Sequence, residues 1–242
     1  VKFFTYLVCW DEFYDNCLKI EQDFNLAGQP IKVINSGTNV KDHWDNVGDI
    51  RYYRQLHYAM KNFDISYDYM AFMCGDVSYN NWKGFIGRAN QVLSTYENIG
   101  LYAPHLTYEP WNENSTKLKK SKYDDKLLIS SNTDGILFLM HRDIVAQMLE
   151  YFNFLEKDPD FKSMTSGWGI DLIWSALAIF DSKLIIRDNK HIITHPQGSS
   201  YGHDKATQEV IKVMSVFNEF ALINKMDLDK IKLLIDNTKR KS

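Results

Sequence analysis

YDYMAFMCGDVSY, Tyr67 to Tyr79, decides the fold class of this chain. Tyr69 to Met73 is a short, continuous apolar run, with the length and composition of a strand buried on both faces of a parallel sheet. It stops abruptly on Cys74-Gly75-Asp76. A carboxylate just beyond such a strand stands at the carboxyl edge of the sheet, where open α/β proteins take their ligands. Turns and helix caps place polar residues at the same position. What else arrives at that edge therefore decides what Asp76 is for.

The pattern around this stretch is regular. Lys2 to Cys9 reads as a strand, and Asp11 to Phe24 as a helix with Phe13, Cys17, Ile20 and Phe24 on one side. Ile31 to Ile34 is a second strand, closed by the turn formers Asn35-Ser36-Gly37. Asp49 to Asn62 and Trp82 to Tyr96 read as helices, and Gly100 to Ala103 as a strand. Such alternation predicts an α/β protein with a Rossmann-like, mostly parallel central sheet flanked by helices. Tyr108 to Asp125 is polar, lysine-rich and without period, which predicts a long functional loop. Beyond it come a strand (Gly135 to Met140), a helix (Arg142 to Leu155), a turn at Asp158-Pro159-Asp160 and a helix from Asp171 to Phe180. Two short strands follow, Lys183 to Arg187 and His191 to Ile193. Two amphipathic helices, Thr207 to Ile223 and Asp227 to Ile235, end the chain.

Composition narrows the function. A length of 242 residues suits one large domain or two small ones, and 45% hydrophobic residues allow a substantial core. A formal net charge of −3 disfavours nucleic acid as a partner. The lysines of 117–122 and the basic tail at Lys239-Arg240-Lys241 read as solvated surface. Cys9, Cys17 and Cys74 form no metal or disulfide pattern and fit a reducing compartment. No apolar run reaches the roughly 18 residues of a membrane span, and no signal peptide is visible. The chain begins on Val1, which leaves open that it is part of a longer one.

Four segments carry candidate chemistry. Asp45-Asn46-Val47-Gly48 precedes a helix bearing Arg51 and Arg54, where free N–H groups and guanidinium forks suit phosphate; an Asn cap on a surface helix explains it equally. Cys74-Gly75-Asp76 offers oxygen to a hard divalent cation bridging phosphates. Ser166-Gly167-Trp168-Gly169-Ile170-Asp171 presents an indole on a glycine turn and a carboxylate in the first turn of a helix. That carboxylate suits either the helix dipole or the proton of a sugar hydroxyl. The fourth segment, HIITHPQGSSYGH from His191 to His203, offers His195 and then His203 as metal ligands in loop chemistry. Asp158-Pro159-Asp160 and Asp227-Leu228-Asp229 sit at turns or helix starts and read as capping. The chain lacks GxxxxGK[ST], a GxGxxG after the first strand, GxSxG and HExxH.

In this order the segments resemble a nucleotide-sugar glycosyltransferase of the GT-A fold. Asp45-Asn46-Val47-Gly48 with Arg51 and Arg54 resembles the Asn-x-Gly…Arg segment of the large inverting family. FMCGDVSY resembles its DxD strand with Cys74 in place of the first Asp, GWGIDLIW its late acidic motif, and IITHPQGSSYG its C-terminal His segment. The resemblance spans about Lys2 to His203. It implies a GT-A domain over 1–205, with a nucleotide-binding half (1–104) and an acceptor half (105–205), and a helical extension over 206–242.

The resemblance also implies roles. Thr5, Val8, Trp10, Asn35, Asn46, Gly48, Arg51, Arg54, Cys74, Gly75 and Asp76 would bind a nucleoside diphosphate sugar, most simply UDP-linked. Asp76 and His195 would hold Mn2+ or Mg2+. Asp171 would be the catalytic base of an inverting transfer, and Asp134, Gly135, Trp168 and Gly169 would line the site of a glycan or lipid-linked acceptor. Such an enzyme would work on the cytoplasmic side, at or near the membrane, in polysaccharide or glycoconjugate synthesis. The missing first Asp equally fits a catalytically silent nucleotide-sugar or glycan-binding module. A nucleotidyltransferase would carry a Gly-rich basic loop after the first strand, where this chain has Val8-Cys9-Trp10-Asp11.

Overall fold

The computed structural model describes residues 1–108, 117–121, 124–196, 203–227 and 229. The tip of the lysine-rich segment, most of the run after His195 and most of the last expected helix lie outside them.

The first half forms as the alternation predicts. Strands β1 (Phe3–Cys9), β2 (Ile31–Asn35), the two-residue β3 (Asp45–Asn46) and β4 (Tyr69–Cys74) pair in parallel in the order β3-β2-β1-β4. Helices α1 (Tyr14–Leu26), α2 (Tyr52–Lys61) and α3 (Trp82–Thr95) make the crossovers. All six residues of β4 are buried, which is why its sequence shows no polar alternation.

The sheet continues as β8-β5-β9-β7-β6, nine strands in all among the described residues. Strand β8 (Leu137–His141) runs antiparallel between β4 and β5 (Ile99–Leu106), while β9 (Leu184–Ile193) is parallel to β5. The expected α/β class with flanking helices holds. Two details differ from expectation. Within the segment read as loop, β6 (Lys117–Lys120) pairs with β7 (Leu127–Ser130), making a lysine-rich edge strand. Lysine is the residue that keeps exposed strand edges from pairing with another chain, so its density hid a strand. The two short strands expected after residue 183 are one, because the polar Asp188 between them is buried. It accepts from Arg88 Nε at 2.7 Å and from the Tyr102 hydroxyl at 3.0 Å.

Two apolar layers cover the sheet. On one face β4 presents Tyr69, Ala71 and Met73 to Cys17, Ile20 and Phe24 of α1 and to Trp82, Phe85 and Val92 of α3. On the other it presents Met70, Phe72 and Cys74 to α2, to α4 (Arg142–Leu155), to α5 (Ile170–Phe180) and to α6 (His203–Ile223). Helix α6 begins where an extension was expected, yet Val213, Phe217, Phe220 and Ala221 join this second layer. The Tyr151 hydroxyl of α4 donates to the Val213 carbonyl at 2.9 Å.

This topology fixes the functional edge. Strands β1, β2, β4, β5 and β9 all run the same way, so Trp10, Asn35, Asp76, Thr107 and His195 follow their carboxyl ends on one side of the sheet. Because β8 runs the other way, its leading residues Asp134 and Gly135 come to that same edge.

Candidate functional site

The loop after β4 is built tightly. A Cβ on Gly75 would lie 2.5 Å from the Cys17 sulfur and 2.6 Å from the Val8 carbonyl oxygen, so only glycine lets the chain turn there. Asn16 of α1 donates to the carbonyls of Gly75 and Val77, each at 2.7 Å, which fixes the peptides on both sides of Asp76. Beyond it, Ser78 and Thr194 exchange backbone hydrogen bonds at 2.9 and 3.0 Å, and the Tyr79 hydroxyl meets His191 Nδ1 at 2.7 Å. The segment after β9 is thereby zipped to the segment after β4.

That zipper brings His195 to Asp76. His195 Nε2 lies 3.4 Å from Asp76 Oδ2, and the imidazole is largely buried. Its Nδ1 faces the Tyr108 carbonyl at 3.3 Å and its Nε2 the Asp76 carboxylate, so each ring nitrogen meets an acceptor. Thr107 fixes the His195 backbone: its hydroxyl accepts from the amide at 3.1 Å. Burial pulls the imidazole pKa down, but the hydrogen bond and charge of Asp76, aided by Asp134 and the Tyr108 carbonyl, raise it on balance. The other Asp76 oxygen, Oδ1, is buried and has no hydrogen-bond partner among the described residues. A buried carboxylate oxygen lacking a donor is expensive unless something positive arrives.

These two donors fit a hard divalent ion that completes its shell with phosphate oxygens and water. No group of three or more His, Cys, Asp or Glu arranged for a metal occurs among the described residues. Cys74 does not replace the missing carboxylate. Burial pushes its thiol well up, and the charges of Asp76 and Asp134 add to the shift, so it stays neutral. His203 lies outside the described side chains.

The remaining donor candidates divide. Asn35 and Asn46 are committed to the scaffold: Asn35 Nδ2 donates to Asn46 Oδ1 and to the Asn39 carbonyl, both at 2.8 Å, and Asn46 Nδ2 donates to the Lys41 carbonyl at 3.0 Å. Gly48 takes φ +72°, as a residue with no Cβ can. Arg51 is half-exposed and pairs with Asp49 at 3.3 Å. Arg54 lines a cleft of about 420 Å3 with Asn46, His57, Tyr58 and Glu156, which Asp76 does not line. Thr5 and Val8 are fully buried within β1 and offer no surface to a ligand; the strand's interior, rather than its end, takes their side chains. Trp10, just past β1, is partly exposed. Asp11 went unread in the sequence, although its place after a strand was a usable signal. It accepts from the Thr38 amide at 2.7 Å, the Thr38 hydroxyl at 2.8 Å and the Asn39 amide at 2.9 Å, and these bonds hold its carboxyl below the usual range.

Around the residues expected to line an acceptor, α5 bonds to the segment ahead of β8. Trp174 Nε1 donates to Thr133 Oγ1 at 3.1 Å, and Ser175 Oγ to Asn132 Oδ1 at 2.9 Å. Asp171 lies three and four residues before these and so shares their helix face. It is buried in the first turn of α5. Gly167 and Gly169, with φ +72° and +89°, form the turn ahead of it. A Cβ on Gly167 would enter the Tyr52 ring. Two tyrosines opening α2 lock this region: the Tyr52 hydroxyl donates to the Gly135 carbonyl and the Tyr53 hydroxyl to the Trp168 carbonyl, each at 2.5 Å. Neither tyrosine was singled out in the sequence, because each looks like an ordinary helix aromatic until the loops are in place.

No family model matches the sequence, and no curated protein does. Among solved structures, the chain is similar to a glycosyltransferase involved in the glycosylation of the major capsid of PBCV-1, with 10% identity over 86% of this chain and 100% of the other, TM-score 0.49. It is similar to GalNAc-T7 in complex with UDP, GalNAc and Mn2+, with 10% identity over 100% of this chain and 55% of the other, TM-score 0.47. A third likeness is to the catalytic domain of Drosophila β1,4-galactosyltransferase 7 with xylobiose, with 16% identity over 85% and 69%, TM-score 0.36. These proteins are glycosyltransferases, and at TM-scores under 0.5 the likeness adds nothing to what sheet order and site geometry establish by themselves.

Proposed function

We propose that this chain is a glycosyltransferase that moves a sugar from a nucleoside diphosphate sugar, UDP-linked, to a glycan or lipid-linked acceptor, with inversion at the anomeric carbon. The observation that carries the reading is the Asp76–His195 pair, at the carboxyl edge of the parallel strands, with one carboxylate oxygen buried and unmatched. Mn2+ or Mg2+ held by these two residues would offset the charge on the departing diphosphate.

The protein's own groups do the rest. Trp10 and the turn after Asn35 flank the nucleotide, and Arg51, half-exposed, offers a guanidinium to its phosphates. Trp168 offers an indole face to an acceptor sugar. Asp171 takes the proton from the acceptor hydroxyl as its oxygen bonds to the anomeric carbon. The bond from that carbon to the diphosphate breaks with its electron pair on the leaving phosphate oxygen. Asp134, ahead of the antiparallel β8, stands at the same sheet edge as Asp76 and His195, which supports donor and acceptor sharing one cleft.

A second reading, a silent nucleotide-sugar or glycan-binding module, draws on Cys74, a neutral thiol where a carboxylate is expected. Incubation with a panel of UDP-sugars and Mn2+, followed by measurement of free UDP, separates the two. The enzyme releases UDP from one donor; binding without release supports the module.

A further inference from the structure

Glu209 lies in the second turn of α6 and is buried, whereas Asp204, Lys205 and Glu219 of the same helix are exposed. Its carboxylate accepts four hydrogen bonds from two consecutive residues about forty positions upstream. Oε1 takes the Thr165 amide at 2.8 Å and the Thr165 hydroxyl at 3.1 Å. Oε2 takes the Ser166 amide at 2.7 Å and the Ser166 hydroxyl at 2.6 Å. Burying a carboxylate is costly, and four charge-assisted bonds are what offset it.

The arrangement does not end at Ser166. Ser166 Oγ also accepts from the Trp168 amide at 3.2 Å, while the Trp168 carbonyl accepts from Tyr53. The Trp168 residue is thus fixed at both ends, once from α6 through Ser166 and once from α2. Gly169, next in line, is covered by Val210, the neighbour of Glu209: a Cβ there would lie 3.3 Å from a Val210 methyl. Gly167 and Gly169, on either side of Trp168, both take left-handed conformations, which glycine adopts freely. Asp171 lies in the first turn of the helix that follows.

We infer that Glu209 is a positioning residue: it fixes the Thr165–Gly169 turn, and through it sets where the Trp168 indole and the Asp171 carboxylate stand. This deepens the reading given above and, as far as turnover is concerned, rests on it. Helix α6 is then part of the acceptor site's machinery. A carboxamide at position 209 keeps size and packing but replaces one accepting oxygen with a donor, which sets an NH2 against the backbone amide of either Thr165 or Ser166.

The test uses the whole chain with Glu209→Gln, and Ser166→Ala as a milder second variant in case the first does not fold. Hydrogen exchange reads the turn directly, calorimetry with UDP and Mn2+ reads the donor side, and UDP release from the sugar panel reads turnover. Expected for Glu209→Gln is at least tenfold faster exchange at Thr165 to Asp171, unchanged exchange in β4, UDP affinity within twofold, and kcat at least tenfold lower. Ser166→Ala should shift exchange in the same place and direction by less. A turn whose exchange is unchanged in both variants overturns the inference, and so does an active wild type whose kcat Glu209→Gln leaves intact. A wild type that releases no UDP while its turn still depends on Glu209 supports the positioning and refutes the transferase reading.

Discussion

At the Asp76 loop, the constraints come from groups at the same sheet edge: Asn16 at the start of α1 holds Gly75 and Val77, Asp11 holds Thr38 and Asn39, and Ser78 pairs with Thr194. At the Trp168 turn, the constraints come from the middle of a C-terminal helix and from the start of α2 across the protein, through Glu209 and Tyr53. The Asp76 loop, on the proposed donor side, is held from the sheet edge itself. The Trp168 turn, on the proposed acceptor side, is held by two helices of the second layer. The first set of constraints is local; the second spans the protein.

Substitutions that strike one side and spare the other sharpen this contrast. Asp171→Asn should lower transfer by about 10²- to 10⁴-fold, the usual span for a general base, while UDP affinity with Mn2+ stays within twofold by calorimetry. Near-normal transfer would remove Asp171 as the base. Asn16→Ala acts on the donor side alone. It should cost about 1–2 kcal/mol in urea unfolding, for two carbonyls left without their donor, and should weaken UDP binding several-fold. Unchanged affinity would show that the Asp76 loop does not need that support. Tyr53→Phe should have the smallest effect, about 1 kcal/mol of stability and a modest fall in kcat with UDP binding untouched. Weaker UDP binding in that variant would break the division between the two sides.

The same contrast explains what the sequence made legible. The strand ending at Cys74, just before Asp76, was plain because its burial on both faces leaves an unbroken apolar run. His195 was within reach of sequence reasoning because a loop-forming stretch follows it, and the structure brings it to Asp76. Strand β7, only four residues long and followed by polar turn residues, gave no period to detect. Strand β6 was masked by the lysines that suit an edge. Thr5 and Val8 are fully buried, and composition locates a strand without telling which of its residues reach its open end. Glu209 was invisible for a deeper reason. A glutamate in an amphipathic helix reads as a solvated charge, and only the tertiary fold shows that two loop residues turn all four of their donors onto it.

The central claim is that Asp76 and His195 form the protein's half of a metal–diphosphate site. The most direct measurement is calorimetric titration of UDP into the wild type and into Asp76→Ala, with and without Mn2+. The account predicts binding that requires Mn2+ in the wild type, and a loss on the order of 100-fold in the variant, about 3 kcal/mol for removing one member of a partly desolvated charge set. UDP binding that ignores Mn2+, or Mn2+-dependent binding that survives the loss of Asp76, would contradict it.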